Sequence, residues 1–202
     1  YLAGSDAGNY AISSGSYLEI GNYIVDQLAI AGTMANSSTV YGDTLSFGAV
    51  TFSNVVAGDD VQVNLQGLAN SAAEGDLAVA NASNNFDVGT YVVQLNSLHG
   101  ADAANYARRP NGAGTDYYIT GSHEITPKPL NLTARDLRLA YDGSAYYGGN
   151  GVEFAGFVAG ETQTVLNGDL TYAGSSQGAV KTGKYQITPT GYGVANGNYN
   201  LI

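Results

Sequence analysis

Paired tyrosines recur along this chain at nearly one spacing, and that internal repeat limits the fold more than any other feature. Gly8-Asn9-Tyr10 precedes Gly21-Asn22-Tyr23 by 13 residues, Gly89-Thr90-Tyr91 precedes Asn105-Tyr106 by 15, and Gly183-Lys184-Tyr185 precedes Gly197-Asn198-Tyr199 by 14. Val40-Tyr41-Gly42-Asp43 lies 50 residues before Tyr91, and Ala140-Tyr141-Asp142-Gly143 lies 44 before Tyr185. Between these landmarks come Phe52-Ser53-Asn54-Val55-Val56-Ala57-Gly58-Asp59 and Phe154-Ala155-Gly156-Phe157-Val158-Ala159-Gly160-Glu161. Landmarks repeated in one order describe a folded unit used more than once. Tyr91 and Tyr185 stand 94 residues apart but Tyr10 and Tyr91 only 81, so the units differ in their loops.

The repeat divides the chain into residues 1–25, the tail of a preceding module, residues 26–126, a full module, and residues 127–202, a second and nearly full one. Ile125-Thr126-Pro127-Lys128-Pro129-Leu130 marks the second boundary. Proline fixes φ and removes a ladder donor, so Pro127 and Pro129 stiffen an extended crossing and end a sheet pairing. The modules are expected to fold independently and to be held in line by this short linker.

Inside each module the pattern is that of short strands between Gly-rich turns. Leu28–Ala31, Leu45–Phe52, Val61–Leu65, Leu77–Ala80, Tyr91–Leu95 and Tyr117–Thr120 are the candidates in the first. Leu130–Ala134, Leu137–Tyr141, Val152–Phe157, Leu170–Tyr172, Tyr185–Pro189 and Tyr199–Ile202 are those in the second. Asn-Gly pairs at 111, 150, 167 and 196 suit tight turns, because both residues tolerate positive φ. No window carries a capped helical period. The expected class is all-β: tandem small β-modules in an elongated array, with an immunoglobulin-like β-sandwich favoured and a β-grasp-like module as the alternative.

Composition agrees. Hydrophobic residues make up 44% of the 202 but charged residues only 12%, against about a quarter in an average domain. A surface built from Gly, Ser, Thr, Asn and Tyr suits strands and turns and does not suit helical bundles. All seven Lys and Arg lie at or beyond Arg108, so residues 1–107 carry ten acidic groups and no basic one. Such a half repels nucleic-acid phosphates and anionic lipid, so neither is expected as a partner. No apolar run approaches the length of a membrane span, so no membrane insertion is expected. Cys is absent, which fits a chain exported through an oxidising compartment, and the missing initial Met reads as an internal piece of something longer.

The run Ile125-Thr126-Pro127-Lys128-Pro129-Leu130, then Leu132-Thr133-Ala134, Tyr141-Asp142-Gly143, Phe157-Val158-Ala159-Gly160-Glu161-Thr162, Leu170-Thr171, Gly183-Lys184-Tyr185-Gln186-Ile187 and Asn198-Tyr199 resembles the MBG/YDG modules. These occur in tandem in large filamentous-haemagglutinin-like bacterial surface adhesins. The likeness covers nearly all of residues 125–202. The first module departs from it, because Tyr41-Gly42-Asp43 inverts the Asp-Gly order and extra residues stand near 66–86 and 105–116. The resemblance implies a secreted, extracellular protein of the bacterial cell surface, often exported by two-partner secretion and active in biofilms. Such modules form the stalk.

Residue chemistry argues against an enzyme. Nucleophilic catalysis needs Ser or Cys beside a His base, yet Cys is absent and the only histidines, His99 and His123, fall in loop-like or linker stretches. Two His without Cys also argue against structural zinc, and the glycines form no phosphate loop. No cofactor is expected. Calcium is the one metal considered, through Asp59-Asp60, Glu74-Gly75-Asp76 or Asp142, none of which matches an EF-hand. Tyr41, Tyr141, Tyr91, Tyr185, Pro127 and Pro129 are structural motif residues, with Tyr41 and Tyr141 expected to pack half-buried. Tyr117-Tyr118 and Tyr146-Tyr147 are the candidate contacts to a polysaccharide or host-surface glycan. Arg108-Arg109, the one basic doublet, is expected on an exposed loop tip. The expected partners are thus neighbouring modules of the same chain and, on the alternative, a glycan.

Overall fold

A computed structural model describes residues 5–6, 9, 22–71, 76–108 and 120–202. The chain is all-β, and its strands fall on either side of Pro127. The first group comprises β1 (Leu28–Ala29), β2 (Gly32–Met34), β3 (Ser37–Val40), β4 (Val50–Phe52), β5 (Gln62–Ala69), β6 (Gly89–His99), β7 (Tyr106–Ala107) and β8 (Thr120–Thr126). The second comprises β9 (Lys128–Ala134), β10 (Val152–Ala155), β11 (Leu166–Asn167), β12 (Thr171–Ala173), β13 (Thr188–Thr190), β14 (Gly193–Val194) and β15 (Tyr199–Leu201).

A four-stranded sheet of order β3-β8-β6-β5 dominates the first group. Strand β8 is its hinge: it runs parallel to β3, with Ser37 beside His123, and antiparallel to β6, with Tyr91 beside His123. Its inward side chains, His123 and Ile125, are buried, while Glu124 is exposed, which is the period of two that a half-buried strand writes. Gly121 sits where β8 meets β2; a Cβ there would lie 2.7 Å from Met34 Sδ, so any larger residue would force the Met34 side chain to move.

The repeat is visible in strand pairing. Strand β7 joins β1 in parallel, pairing Tyr106 with Leu28, and β15 joins β9 in parallel, pairing Tyr199 with Lys128. Phe52 of β4 faces Gly32 of β2, and Phe154 of β10 faces Leu132 of β9. Position 28 thus corresponds to 128 and position 32 to 132, a shift of 100 residues. Ile30 and Leu130, which also match, are both buried at 2% and 0% exposure.

Several expected strands differ from the observed ones. Leu45–Phe52 shrinks to β4, Leu77–Ala80 makes only an isolated bridge from Leu77 to Ala69, and Leu137–Tyr141 forms no strand. Gly32–Met34 and Ser37–Val40 are strands although their Ser, Thr and Gly content carries little strand signal. Most of Tyr117–Thr120 and of residues 1–25 lies outside the described residues. The Pro127 crossing is shorter than a linker, because β8 pairs up to Thr126 and β9 pairs from Lys128. Pro129 lies within β9 opposite Asn200.

Candidate functional site

Each module is closed by a tyrosine that pins a turn. In the first, the Tyr106 hydroxyl accepts the Val56 N–H at 2.8 Å and donates to Asp59 Oδ2 at 2.7 Å. In the second, the Tyr199 hydroxyl accepts the Val158 N–H at 2.9 Å and donates to Glu161 Oε2. Both turns close on themselves through Asp59 N–H to Val56 O and Glu161 N–H to Val158 O. Gly58 and Gly160 take positive φ, +101° and +86°, which explains the glycine of each Val-Ala-Gly-acid run. A second device repeats too. The Tyr91 hydroxyl donates to Asp87 O and the Tyr185 hydroxyl to Lys181 O, each four residues back. Each ring lies over the glycine two residues earlier, Gly89 or Gly183.

Between the modules these pins become a joint. Tyr41, at the end of β3, is fully buried, and its ring meets Tyr199 edge-on with centroids 5.5 Å apart. Phe157 meets the other side of Tyr199 at 5.7 Å. The Tyr41 hydroxyl donates to Glu161 Oε1 and accepts from Asn81 Nδ2 at 2.9 Å. Glu161 therefore takes one tyrosine proton from each module. Burial and the Glu161 hydrogen bond push the Tyr41 phenol up to about 12 and the Tyr199 phenol higher still.

Asn198 completes the joint from beneath. It is wholly buried; Oδ1 accepts the Val88 N–H at 2.8 Å, and Nδ2 donates to Asp87 Oδ1 at 2.7 Å. Since one partner is a backbone donor and the other a carboxylate, the amide orientation is fixed. Asn81 Nδ2 reaches the same Asp87 oxygen at 2.8 Å. At the rim Lys128 Nζ lies 2.9 Å from Asp43 Oδ1. Gly42 packs so closely that a Cβ would lie 2.3 Å from Val158 Cγ2.

The structural motif tyrosines are thus not equivalent. Tyr41 is at 0% exposure and Tyr141, its counterpart, at 67%, so neither is half-buried as the repeat predicts. Tyr41 packs against Tyr199 and Glu161 of the second strand group, contacts that Tyr141 lacks among the described residues. Of the candidate glycan contacts, Tyr117 and Tyr118 lie outside the described residues. Tyr147 is 74% exposed, but Tyr146 is half-buried with its hydroxyl enclosed, so the two rings form no common platform. Arg108 does not wave at a loop tip; its guanidinium donates to the Leu95 and Asn96 carbonyls. Arg109 lies outside the described residues.

The acidic candidates for calcium are occupied separately. Asp59 holds Tyr106, Asp60 accepts from Gln62 and Ala101, Asp76 accepts from Ser71 and Asn70, and Asp142 accepts the Ser144 N–H. Among the described residues no three His, Asp or Glu side chains converge on a point where a metal ion fits. Glu74 and Gly75 lie outside those residues.

His123 is not in a linker but at the centre of β8, at 0% exposure. Nδ1 shares a hydrogen with Ser37 Oγ at 2.8 Å, the ring meets Phe47 edge-on, and Nε2 is buried with no partner among the described residues. Burial holds its pKa below the ordinary 6.5. The unfolded chain therefore binds a proton that the folded imidazole refuses, and stability falls as pH drops below about 6.5. At the alkaline end the signs reverse. Tyr41 and Tyr199 keep their protons above pH 10, where unfolded tyrosines lose theirs, so stability falls again above about 10. Melting temperature against pH is expected to show a plateau between these limits. His123→Gln should flatten the acid limb between about pH 5 and 7 and leave the alkaline limb in place.

No family model, curated protein or solved structure matches the chain.

Proposed function

We propose that this segment is a structural stalk: tandem β-modules of a secreted bacterial surface adhesin, of MBG/YDG type, that project an adhesive region for cell-surface or biofilm attachment. Its partners are its own neighbouring modules, and its work is mechanical. The observation that carries this is the joint, where Tyr41 and Asn198 are buried and hydrogen-bond across to Glu161 and Asp87, between strand groups that a single residue, Pro127, separates in sequence. A joint with buried hydrogen bonds resists bending, because every bend exposes or orphans a polar group. An exported stalk also gains from the absence of Cys, since no disulfide can lock the chain before export. An immunoglobulin-like sandwich remains the favoured module type within the all-β class.

The competing function is carbohydrate binding through exposed tyrosines. Tyr147 alone presents an open ring among the described candidates, and a single ring gives little stacking area. The purified chain is expected to leave a glycan array blank. Robust binding to a defined sugar, lost on Tyr147→Ala, would replace the stalk by a carbohydrate-binding module.

A further inference from the structure

The Asn-Gly pairs at 150, 167 and 196 lie among the described residues, and they are chemically unequal. An asparagine followed by glycine can close on itself: the glycine nitrogen attacks the side-chain carbonyl carbon, and no Cβ stands in the way. The reaction needs a free nucleophile with the carboxamide laid over it. At the first pair both groups are engaged. Asn150 Nδ2 donates to the Asp136 carbonyl at 3.0 Å, and the Gly151 N–H donates to the Tyr172 hydroxyl at 2.9 Å. At the second, Asn167 is held in the β11–β14 ladder opposite Gly193, with its carboxamide packed against that residue. That carboxamide is committed to the facing strand.

Asn196 differs on each count. It is exposed, and so is Gly197. The Gly197 N–H has no acceptor among the described residues, and a Cβ built on Gly197 meets nothing within 4 Å. Asn196 Oδ1 accepts the Asn198 N–H at 3.4 Å. A carboxamide that reaches the N–H two residues on lies over the nitrogen between them. The same contact draws electron density from the carbonyl carbon. The nucleophile and the carbon it attacks are therefore neighbours, with water at hand. The pair also stands next to the joint. Asn198 is held there at three points: Oδ1 takes the Val88 N–H, Nδ2 donates to Asp87, and the carbonyl takes the Lys128 N–H at 2.9 Å.

We propose that Asn196-Gly197 is a site of spontaneous deamidation that loosens the joint as the protein ages. The Gly197 nitrogen gives its proton to hydroxide and bonds to Asn196 Cγ. The Cγ–Nδ2 bond breaks, the departing nitrogen takes a proton from water, and ammonia leaves behind a cyclic succinimide. Water then opens the ring at either carbonyl. Opening at Cγ leaves aspartate; opening at the main-chain carbonyl leaves isoaspartate, whose chain runs through Cβ. Water is the only co-reactant. Both products add a negative charge, and isoaspartate lengthens the main chain just ahead of Asn198. A lengthened chain no longer holds the three Asn198 contacts in register. The site goes beyond the stalk reading and stands whether or not the segment serves as one.

Incubating the 202-residue protein in warm, mildly alkaline buffer tests this, with peptide mass spectrometry following ammonia loss and isoaspartate at each pair. Asn196 should convert at least about tenfold faster than Asn150 or Asn167. Its rate should rise with pH, because the nucleophile must lose a proton. The aged protein should melt at a lower temperature than the fresh one. Asn196→Gln, whose longer side chain closes the ring poorly, should age without that loss; the position is exposed, so folding is retained and checked by circular dichroism. Asn111-Gly112 lies outside the described residues, and Asn196→Gln leaves it in place. Its conversion is thereby separated from that of Asn196. An unconverted Asn196, equal rates at the three described pairs, a converted sample that melts like the fresh one, or the same loss of melting temperature in aged Asn196→Gln would each overturn the proposal.

Discussion

Tyr199→Ala is expected to destabilise the folded chain by about 3–5 kcal/mol, the range for truncating a buried aromatic side chain. The ring is 4% exposed and packs edge-on between Tyr41 and Phe157, so truncation leaves a cavity lined from both modules. It also strips Val158 N–H of its acceptor and Glu161 of one proton donor. Tyr199→Phe separates these effects. It keeps the packing and removes the hydroxyl, and should cost about 1–3 kcal/mol. Urea unfolding gives both values from the shift in midpoint at constant slope. Equal costs for the two variants would mean that packing contributes nothing, against the geometry described.

Asn198→Ala should cost about 2–4 kcal/mol, although it removes almost no apolar surface. The loss is polar: the Val88 N–H and the Asp87 carboxylate both lose the partner that the fully buried Asn198 offers across the joint. Because the two modules share this bond, the variant should also separate their melting into two transitions, where the parent melts in one. A double-mutant cycle with Asp87→Ala should return a coupling of about 1–3 kcal/mol. A coupling near zero, with the parent already melting in two steps, would restore the modules to independence.

Much of this architecture was legible in the residues. The alternation, the Asn-Gly turns and the paucity of charge point to strands, and the chain is all-β. The repeat was readable because Val56-Ala57-Gly58-Asp59 and Val158-Ala159-Gly160-Glu161 are local strings. What those strings do was not readable. Tyr106 and Tyr199 reach their turns across 47 and 38 residues, and no spacing rule connects them. The joint was hidden for the same reason: Tyr41 meets Glu161 over 120 residues, and Asn198 meets Asp87 over 111. His123 was misplaced because Thr-Gly-Ser-His-Glu reads as a polar linker. Only its two neighbours in the sheet, β3 and β6, turn that run into a buried strand. Tyr141 shows the converse, since its surroundings decide its exposure and its motif does not.

The hydrogen bonds shared across the joint predict one fixed orientation of the two modules. Because the chain has no Cys, two labels can be placed without background, at Asn96→Cys in the first module and Lys181→Cys in the second, both exposed. Electron-spin distance measurement between them should give one narrow peak in the parent chain, broadened in Asn198→Ala. A broad distribution in the parent, unchanged by Asn198→Ala, would contradict a rigid joint and with it the stalk.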